Sequence, residues 1–553
     1  MDKKLTQLVR DEFDVDIDVV LTRPDPQFGD YATNVALQLA GKVGKAPREI
    51  AEQIADKLRE DTDFAEVTVA GPGFINIRLS SVQLLALTKR EPIPAYAGQS
   101  IVLEYSCPNA FKELHTGHLY QTVFGDILGR LFLLGGARLH RTSFGGDVGL
   151  HVAKCLWGMV KTLGGEHPEK LADVGDDAFA RAQWISNCYV VGATAYEQDE
   201  STKQAIDDLN KTIYGFHDTS DHESPLAQIY WTTRQWSFDY FAAFYQLIDV
   251  ADQHYYPEST TAPTGLEVVK EQLAAGKLKE SEGAVVFEGD EKKHLHTRVF
   301  ITSKGLPTYE TKDIGVIWKE REDYQFDHRY LITGNDQKEY MRVVFAAAET
   351  FDPTLSGTMT HMTNGTVRFG DGQKMSSRLG NVTRAVDVID AVREKVAAMV
   401  EDQSIVEDVT LGAIKYVFAK YKLGGDIAFD IDETVSLQGN SGPYLQYAHA
   451  RARRILEKLS SITLPTEVYD EDRELVRKLG EYSEVVELAM RSLEPHHICN
   501  YLFETSQEFN RYYEKNQVVG SELEAHRAGL VNVYADTLRA GLMILGIAAP
   551  DKM

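Results

Sequence analysis

The chain has 553 residues, 43% of them apolar and 25% charged, which is several times the size of a single domain and predicts two to four packed globular units. No stretch approaches the roughly 20 consecutive apolar residues of a membrane span, and the acidic, amphipathic start MDKKLTQLVRDEFD is unlike a signal peptide, so a cytoplasmic protein with no membrane partner is expected. A net charge of −25 argues against non-specific nucleic-acid binding through the bulk surface, though not against a local cluster such as RARRILEK at 451–458, and the four cysteines lack any C-x-x-C pair that would suggest a disulfide framework or structural zinc.

Residues 1–92 read as a small mixed module. A helical stretch covers roughly 34–58 with a break at Pro47, and the strand-like runs FAEVTVA and FINIRLS lie on either side of the turn Gly71-Pro72-Gly73. EPIPAYAGQS reads as a linker, so a new domain starts near residue 100. There IVLEYS is a short apolar strand, a loop and helix follow, and ARLHRTSF is the next strand, ending in GGDVG. Such a strand, helix, strand unit builds a parallel sheet that collects ligands at the carboxyl ends of its strands. Residues 160–270 are helical, rich in acids and aromatics, and look inserted. A second set of strands, AVVFEG, RVFITS, YLITG and TVRFG, comes next, and from about 405 the pattern is wholly helical to the end. The expected fold is an α/β Rossmann-like domain over 100–400 with a helical insertion, preceded by an N-terminal α+β module and followed by an all-α domain over 405–553.

The chemistry concentrates in two stretches. In PNAFKELHTGHLYQTVFGDILGRL, the residues Leu119, Val123, Ile127, Leu131 and Leu134 recur at near-helical spacing, so a helix begins between Thr116 and Leu119. A helix start offers free backbone N–H groups to an anion. Gly117 would let a base or phosphate come close, and His115 and His118 could donate to phosphate oxygens. Taken alone, the H-x-G-H pattern is equally a pair of surface histidines beside a turn glycine. Far along the chain, DGQKMSSRLGNV sets Lys374, Met375, Ser376 and Ser377 in a loop that could carry a cation onto a developing pyrophosphate. The two patterns together are specific for nucleotide chemistry.

On these motifs the chain resembles the class I aminoacyl-tRNA synthetases, and within them it looks like an arginyl-tRNA synthetase. VLEYSCPNAFKELHTGHL, GGDVG, PTYETKDIG, NSGPYLQYAHARARRIL, the closing GLMILGIAAPDKM and the early GPGFINIRL are each similar to family segments, so the resemblance covers nearly the whole chain. It implies ATP-dependent activation of L-arginine followed by transfer to tRNA(Arg), with Mg²⁺ accompanying the ATP, and activation that itself needs bound tRNA. It further implies that the 405–553 domain binds the anticodon. A monomer is expected.

A guanidinium is planar and permanently charged, so a selective pocket needs carboxylates in fork geometry. Glu104 and Asp313 lie at or just beyond strand ends, and Tyr309 shares a helical face with Asp313, although both also suit a packing tyrosine and a surface acid. The resemblance implies that Glu104, Tyr309 and Asp313 hold the guanidinium, Ser106 and Asn109 the backbone end of the amino acid, and Gln337 its α-amino group. It also implies that His115, Gly117 and His118 bind ATP, that Lys374, Met375, Ser376 and Ser377 close on its phosphates, and that Lys112 adds charge beside them. Tyr444, Tyr447 and Arg451 fall on one helical face and offer two stacking planes and a cation. They match family anticodon contacts, as do Tyr513 and Met553, while Phe74 and Asn76 match contacts to the tRNA elbow. The family's tryptophan and glutamine after the GGD turn are Val148 and His151 here. Two other readings compete: a catalytically silent tRNA-binding relative, and a class I enzyme for another amino acid. The pairing of the two motifs disfavours the first, and the acidic pocket residues disfavour the second.

Overall fold

The computed structural model describes residues 1–369, 384–459 and 462–553. In the N-terminal module, the alternation of Ile75, Ile77 and Leu79 turns one face of a strand into the core while Phe74 and Asn76 face outward. The module runs α1 (Asp2–Phe13), β1 (Tyr31–Thr33), α2 (Val35–Val43), α3 (Pro47–Arg59), β2 (Phe64–Ala70), β3 (Phe74–Leu79) and α4 (Ser81–Leu87). Its three strands form an antiparallel sheet in the order β1-β3-β2. Pro47 occupies the first turn of α3, where its missing N–H costs nothing, which accounts for the predicted break.

After the linker come β4 (Ser100–Glu104), α5 (Thr116–Leu134) and β5 (Arg138–Gly145). The insertion follows as α6 (Leu150–Leu163), α7 (Ala178–Gln198), α8 (Glu200–Thr219) and α9 (Pro225–Leu247), packed round its own core of Val152, Leu156, Ile185, Ile206 and Ile213. The insertion's helices end at Leu247, short of the expected 270, because β6 (His254–Pro257) returns the chain to the sheet before α10 (Glu258–Ala274). A small antiparallel sheet of β7 (Lys279–Ser281), β8 (Ala284–Phe287) and β9 (Arg298–Ile301) comes next. Then α11 (Tyr309–Tyr324), β10 (His328–Gly334), α12 (Lys338–Phe351) and β11 (Met359–Asn364) complete the α/β unit. The central sheet is parallel throughout, in the order β11-β10-β4-β5-β6. The chain therefore reverses direction between β4 and β10, the switch point at which such a sheet opens a ligand crevice. Of the second set of predicted strands, YLITG alone joins this sheet; AVVFEG and RVFITS build the small antiparallel one.

Helix α5 begins at Thr116 as its spacing predicts, and Leu119, Val123, Ile127 and Leu131 are buried, whereas Leu134 at its last turn is 41% exposed. Its other side is also buried, because it lies between the sheet and the following helical layer. Helices α10 and α11 meet backbone to backbone. A Cβ added at Gly265 would stand 1.9 Å from the Thr311 carbonyl oxygen, and one at Gly315 would stand 2.0 Å from that of Thr261.

The last part holds β12 (Val367–Phe369), α13 (Ala385–Met399), α14 (Val406–Ala419), β13 (Ile427–Phe429), α15 (Ile431–Thr434), α16 (Gly442–Leu456), α17 (Arg473–Leu479), α18 (Tyr482–Ser492), α19 (His496–Lys515) and α20 (Glu524–Ile544). The expectation of helix only from 405 onward fails at β13, which pairs in parallel with β12. No helix among the described residues is long and apolar enough to cross a membrane.

Candidate active site

Beyond Glu104 the chain leaves β4 through a loop in which Ser106, Cys107 and Phe111 take left-handed backbone angles (φ 70°, 48° and 65°), an arrangement that costs free energy at each non-glycine residue. The loop is laced in place. Gly146 N–H donates to Asn109 Oδ1 at 2.8 Å, Ala110 N–H donates to the Gly146 carbonyl at 2.9 Å, and Thr122 and Tyr245 hydroxyls reach Ser106 Oγ at 2.8 and 3.1 Å.

The loop ends on two histidines that cap α5 reciprocally. Nδ1 of His115 accepts from Gly117 N–H at 3.1 Å and His118 N–H at 3.4 Å, while Nδ1 of His118 accepts from His115 N–H at 3.2 Å. With both Nδ1 atoms accepting, the neutral tautomer keeps its proton on Nε2, so each ring has one donor left for a ligand. Burial holds both imidazoles below the usual histidine range, and the Lys112 ammonium lowers them further, so both are neutral at physiological pH. Gly117 serves the histidine before any ligand, since a Cβ there would lie 2.9 Å from His115 Cε1. Arg384 bridges to His115 through the backbone and faces the Glu113 carboxylate at 3.3 Å, and β12 also touches α5. Lys374, Met375, Ser376 and Ser377 lie outside the described residues.

Glu104 and Asp313 come together at the switch point. Glu104 is buried at the end of β4, and its Oε2 accepts from Arg329 Nη2, while Cys107 Sγ lies 3.5 Å from its Oε1. Burial pushes its carboxyl up to about 8, against the pull of the Arg329 charge. Asp313, half-buried on α11, accepts from the Tyr340 hydroxyl. Burial raises it to about 7, although Tyr340 and Arg329 both favour its ionised form. Tyr309 stands apart from this pair: it is 70% exposed, with Lys312 Nζ 4.9 Å from its ring centroid. Gln337 is exposed in the turn after β10 and its amide contacts Asp336. The two acids interact electrostatically, and the Arg329 charge acts on both; no hydrogen bond from Tyr309 or Gln337 to either acid is found among the described residues.

A cleft of about 490 Å³ opens at the start of α11, lined by Asn109, Lys112, His151, Tyr214, Glu258 and Tyr309 among others, while Glu104 and Asp313 are not part of its lining. Tyr214 and its neighbour Asn210 come from α8, so the insertion, to which the sequence assigned no chemistry, forms one wall. Val148 is a buried part of the cleft lining, and burial pushes His151 down to about 4, so it presents a neutral ring. Asp147 fixes this turn by accepting from Arg234 Nε at 2.8 Å and from Ser259 N–H at 2.9 Å.

Sequence reasoning missed Tyr340 and Arg329. Tyr340 had no signal. Arg329 had one, because a charge inside RYLITG, a strand of a parallel sheet covered on both faces, must find buried partners.

In the last part of the chain, Tyr447 is 43% exposed on α16, Arg451 lies over the Tyr513 ring at 5.2 Å, and Tyr444 accepts from Asn510 Nδ2 at 3.1 Å. Met553 is half-buried against the main core. The structure thus brings Arg451 and Tyr513 together, and Tyr444, Tyr447 and Arg451 lie on the single helix α16. Phe74 is 42% exposed and Asn76 half-buried at the start of β3.

Three family models match the chain: the catalytic domain of class I tRNA synthetases (R) over residues 81–429, the DALR anticodon binding domain over 445–553, and the arginyl-tRNA synthetase N-terminal domain over 1–79. The chain is 31% identical to an arginine–tRNA ligase of Thermobifida fusca, covering 97% of this chain and 96% of that one. It is 30% identical to an arginine–tRNA ligase of Frankia casuarinae over 96% and 94% of the two. Its fold is similar to that of Thermus thermophilus arginyl-tRNA synthetase, with a TM-score of 0.81 at 22% identity over 100% of this chain and 99% of that one.

Proposed function

Since the chain belongs to the class I arginyl-tRNA synthetase family, we propose a division of labour among its residues for the family reaction, in which ATP activates L-arginine to arginyl-adenylate and the arginyl group passes to tRNA(Arg) with release of AMP and pyrophosphate. The observation that carries the assignment is that two acids, Glu104 at the end of β4 and Asp313 on α11, interact electrostatically around Arg329 in the sheet whose β4 leads into the helix start capped by His115 and His118.

Glu104 Oε1 and Asp313 take the guanidinium of arginine, each giving up any proton it carries. Tyr309 covers the aliphatic stem from the rim, Asn109 and Ser106 face the backbone end, and Gln337 reaches the α-amino group when the turn after β10 closes. The two Nε2–H groups of His115 and His118 donate to ATP phosphates, and Gly117 keeps the His115 ring in place for that role. The arginine carboxylate attacks the α-phosphorus, and Lys112 and Lys374 stabilise the negative charge that builds on the phosphates. Met375, Ser376 and Ser377 accompany Lys374 in this closure. Mg²⁺ would arrive on the ATP, held by phosphates and water, because Glu113, the carboxylate beside the histidines, is engaged with Arg384. Tyr444, Tyr447, Arg451, Tyr513 and Met553 receive the anticodon, and Phe74 and Asn76 of the 1–92 module touch the tRNA elbow. The protein works as a cytoplasmic monomer.

The test is arginine-dependent exchange of pyrophosphate into ATP, with and without tRNA(Arg) and with the other amino acids as controls. Exchange with arginine alone, and only in the presence of tRNA, is expected. Exchange that prefers another amino acid would overturn the pocket assignment.

A further inference from the structure

Arg329 is 1% exposed, and its guanidinium lies among acids from two other elements. Its Nε donates to Glu320 Oε2 at 2.6 Å, its Nη2 donates to Glu104 Oε2, and its Nη1 has no partner among the described residues. The second oxygen of Glu320 accepts from Thr142 Oγ1 at 2.5 Å. A continuous chain therefore runs from β5 through α11 and β10 to the end of β4. The register explains the reach: Arg329 pairs with Val102 and Leu331 pairs with Glu104, so Arg329 sits two residues below Glu104 on the neighbouring strand and on the same face of the sheet. From there its side chain extends up to the underside of the carboxylate.

The arrangement is poorly explained as a stabilising ion pair. Burying a charged pair roughly breaks even against apolar packing, and a guanidinium paired for stability alone would engage one acid with both arms of its fork. Here each of two acids gets one N–H, and one of them stands where the strand end meets the crevice. Glu104 is left with Oε2 fastened from below and, among the described residues, Oε1 facing only the weak thiol donor of Cys107.

We propose that Arg329 is a positioning residue for arginine recognition: it anchors Glu104 by one oxygen, so that the other is held at a fixed height and angle for the substrate guanidinium. Glu104 then bridges two guanidiniums, one from the protein and one from the ligand. The proposal rests on the assignment of Glu104 to the guanidinium of arginine. The charged groups facing Glu104 are Arg329 and Glu320 from beneath and Asp313 from α11, with the Cys107 thiol at its side; of these the Arg329 charge alone favours ionised Glu104 strongly.

The experiment compares Arg329→Lys, the double variant Glu320→Leu/Arg329→Met, and Glu104→Gln by pyrophosphate exchange in the presence of tRNA. KM for arginine and for ATP is measured from pH 6 to 8.5, and the thermal midpoint is recorded alongside. The double variant removes the buried pair together and leaves Glu104 without its anchor. It should raise KM for arginine at least about tenfold, as expected for losing control of a charged hydrogen bond, leave KM for ATP within twofold, and shift the acid limb of kcat/KM for arginine to higher pH. Arg329→Lys, which keeps a charge without the fork, should raise KM for arginine by less and leave the acid limb near its original position. An unchanged KM for arginine and an unmoved acid limb in the double variant, with Glu104→Gln impaired, would reduce Arg329 to a structural residue. If the double variant does not fold, Arg329→Lys decides the matter, and an unchanged KM for arginine overturns the proposal. Failure of the parent assignment has a different signature, namely a Glu104→Gln enzyme with normal KM for arginine.

Discussion

Tyr340→Phe is the cleanest probe of the arginine pocket, because it removes one hydroxyl and keeps the ring. In the structure that hydroxyl donates to Asp313, a carboxylate already raised to about 7 by burial and held down in part by this bond. Losing a hydrogen bond to a charged group costs about 1.5–3 kcal/mol, or roughly 10–150-fold in an equilibrium constant. Two effects share that cost. Asp313 becomes harder to ionise, so more of the free enzyme carries a proton that arginine must displace, and the carboxylate loses the contact that sets its rotamer. The incoming guanidinium restores some of the lost hydrogen bonding, which argues for the lower end of the range. KM for arginine should therefore rise about tenfold at pH 7.5, with KM for ATP within twofold and little change in thermal midpoint. Steady-state aminoacylation with each substrate varied in turn gives the comparison. Equal increases for arginine and ATP, or no increase for arginine, would refute the reasoning.

The raised acids make the pocket sensitive to pH. Glu104 near 8 and Asp313 near 7 are protonated in the free enzyme at pH 6 and must ionise to hold a guanidinium, so KM for arginine should fall steadily between pH 6 and 8.5; a flat profile would contradict both assignments. The same shifts act on stability in the opposite sense. The folded chain retains protons that the unfolded chain has lost above the ordinary carboxylate range, so these two groups make the ligand-free protein less stable as pH climbs from about 4 through 8. Saturating arginine should recover the loss, as read by thermal midpoint. Gly117→Ala places a methyl 2.9 Å from His115 Cε1 and displaces the ring from its cap; about 0.5–2 kcal/mol of stability and a raised KM for ATP, with KM for arginine unaffected, are the expected results. Lys374→Ala should lower kcat with little change in either KM, since its contact strengthens in the transition state, and a pure KM effect would remove it from that role. Tyr447→Ala should raise KM for tRNA several-fold with KM for arginine unchanged; a normal KM for tRNA would take α16 out of the anticodon surface.

What could be read in advance followed burial. The β4–α5 unit carries a strong apolar signal because all of β4 and most sides of α5 are buried. Strands β6 and β11 gave no such signal: they are the two edges of the sheet, and HYYP and MTHMTN are polar where they meet solvent. Glu104, Asp313 and the histidines were visible as residue types at the right ends of elements. Their pairings were not, because Tyr340 and Arg329 reach the acids from α12 and β10: the buried arginine signalled that it needed partners, but pairing across such distances in sequence leaves no local pattern that names them. Tyr309 shows the limit of helical spacing as a guide: at the first residue of α11 it stands exposed at the rim of the cleft, while Asp313 one turn on is turned inward to Tyr340.

The glycine seam between α10 and α11 has a consequence for what the enzyme can become. Thr311 and Gly315 flank Asp313, and both are pinned against α10 at main-chain distance. At these two crossings the helices meet through main chain, so Asp313 is held there by backbone contact rather than by side chains that could be trimmed or enlarged, and the buried Lys312–Glu258 ion pair ties the same two helices together. Adaptation to a shorter or longer cationic substrate would be channelled into the opposite wall, where α8 contributes Asn210 and Tyr214 through ordinary side-chain contacts that single substitutions can reshape.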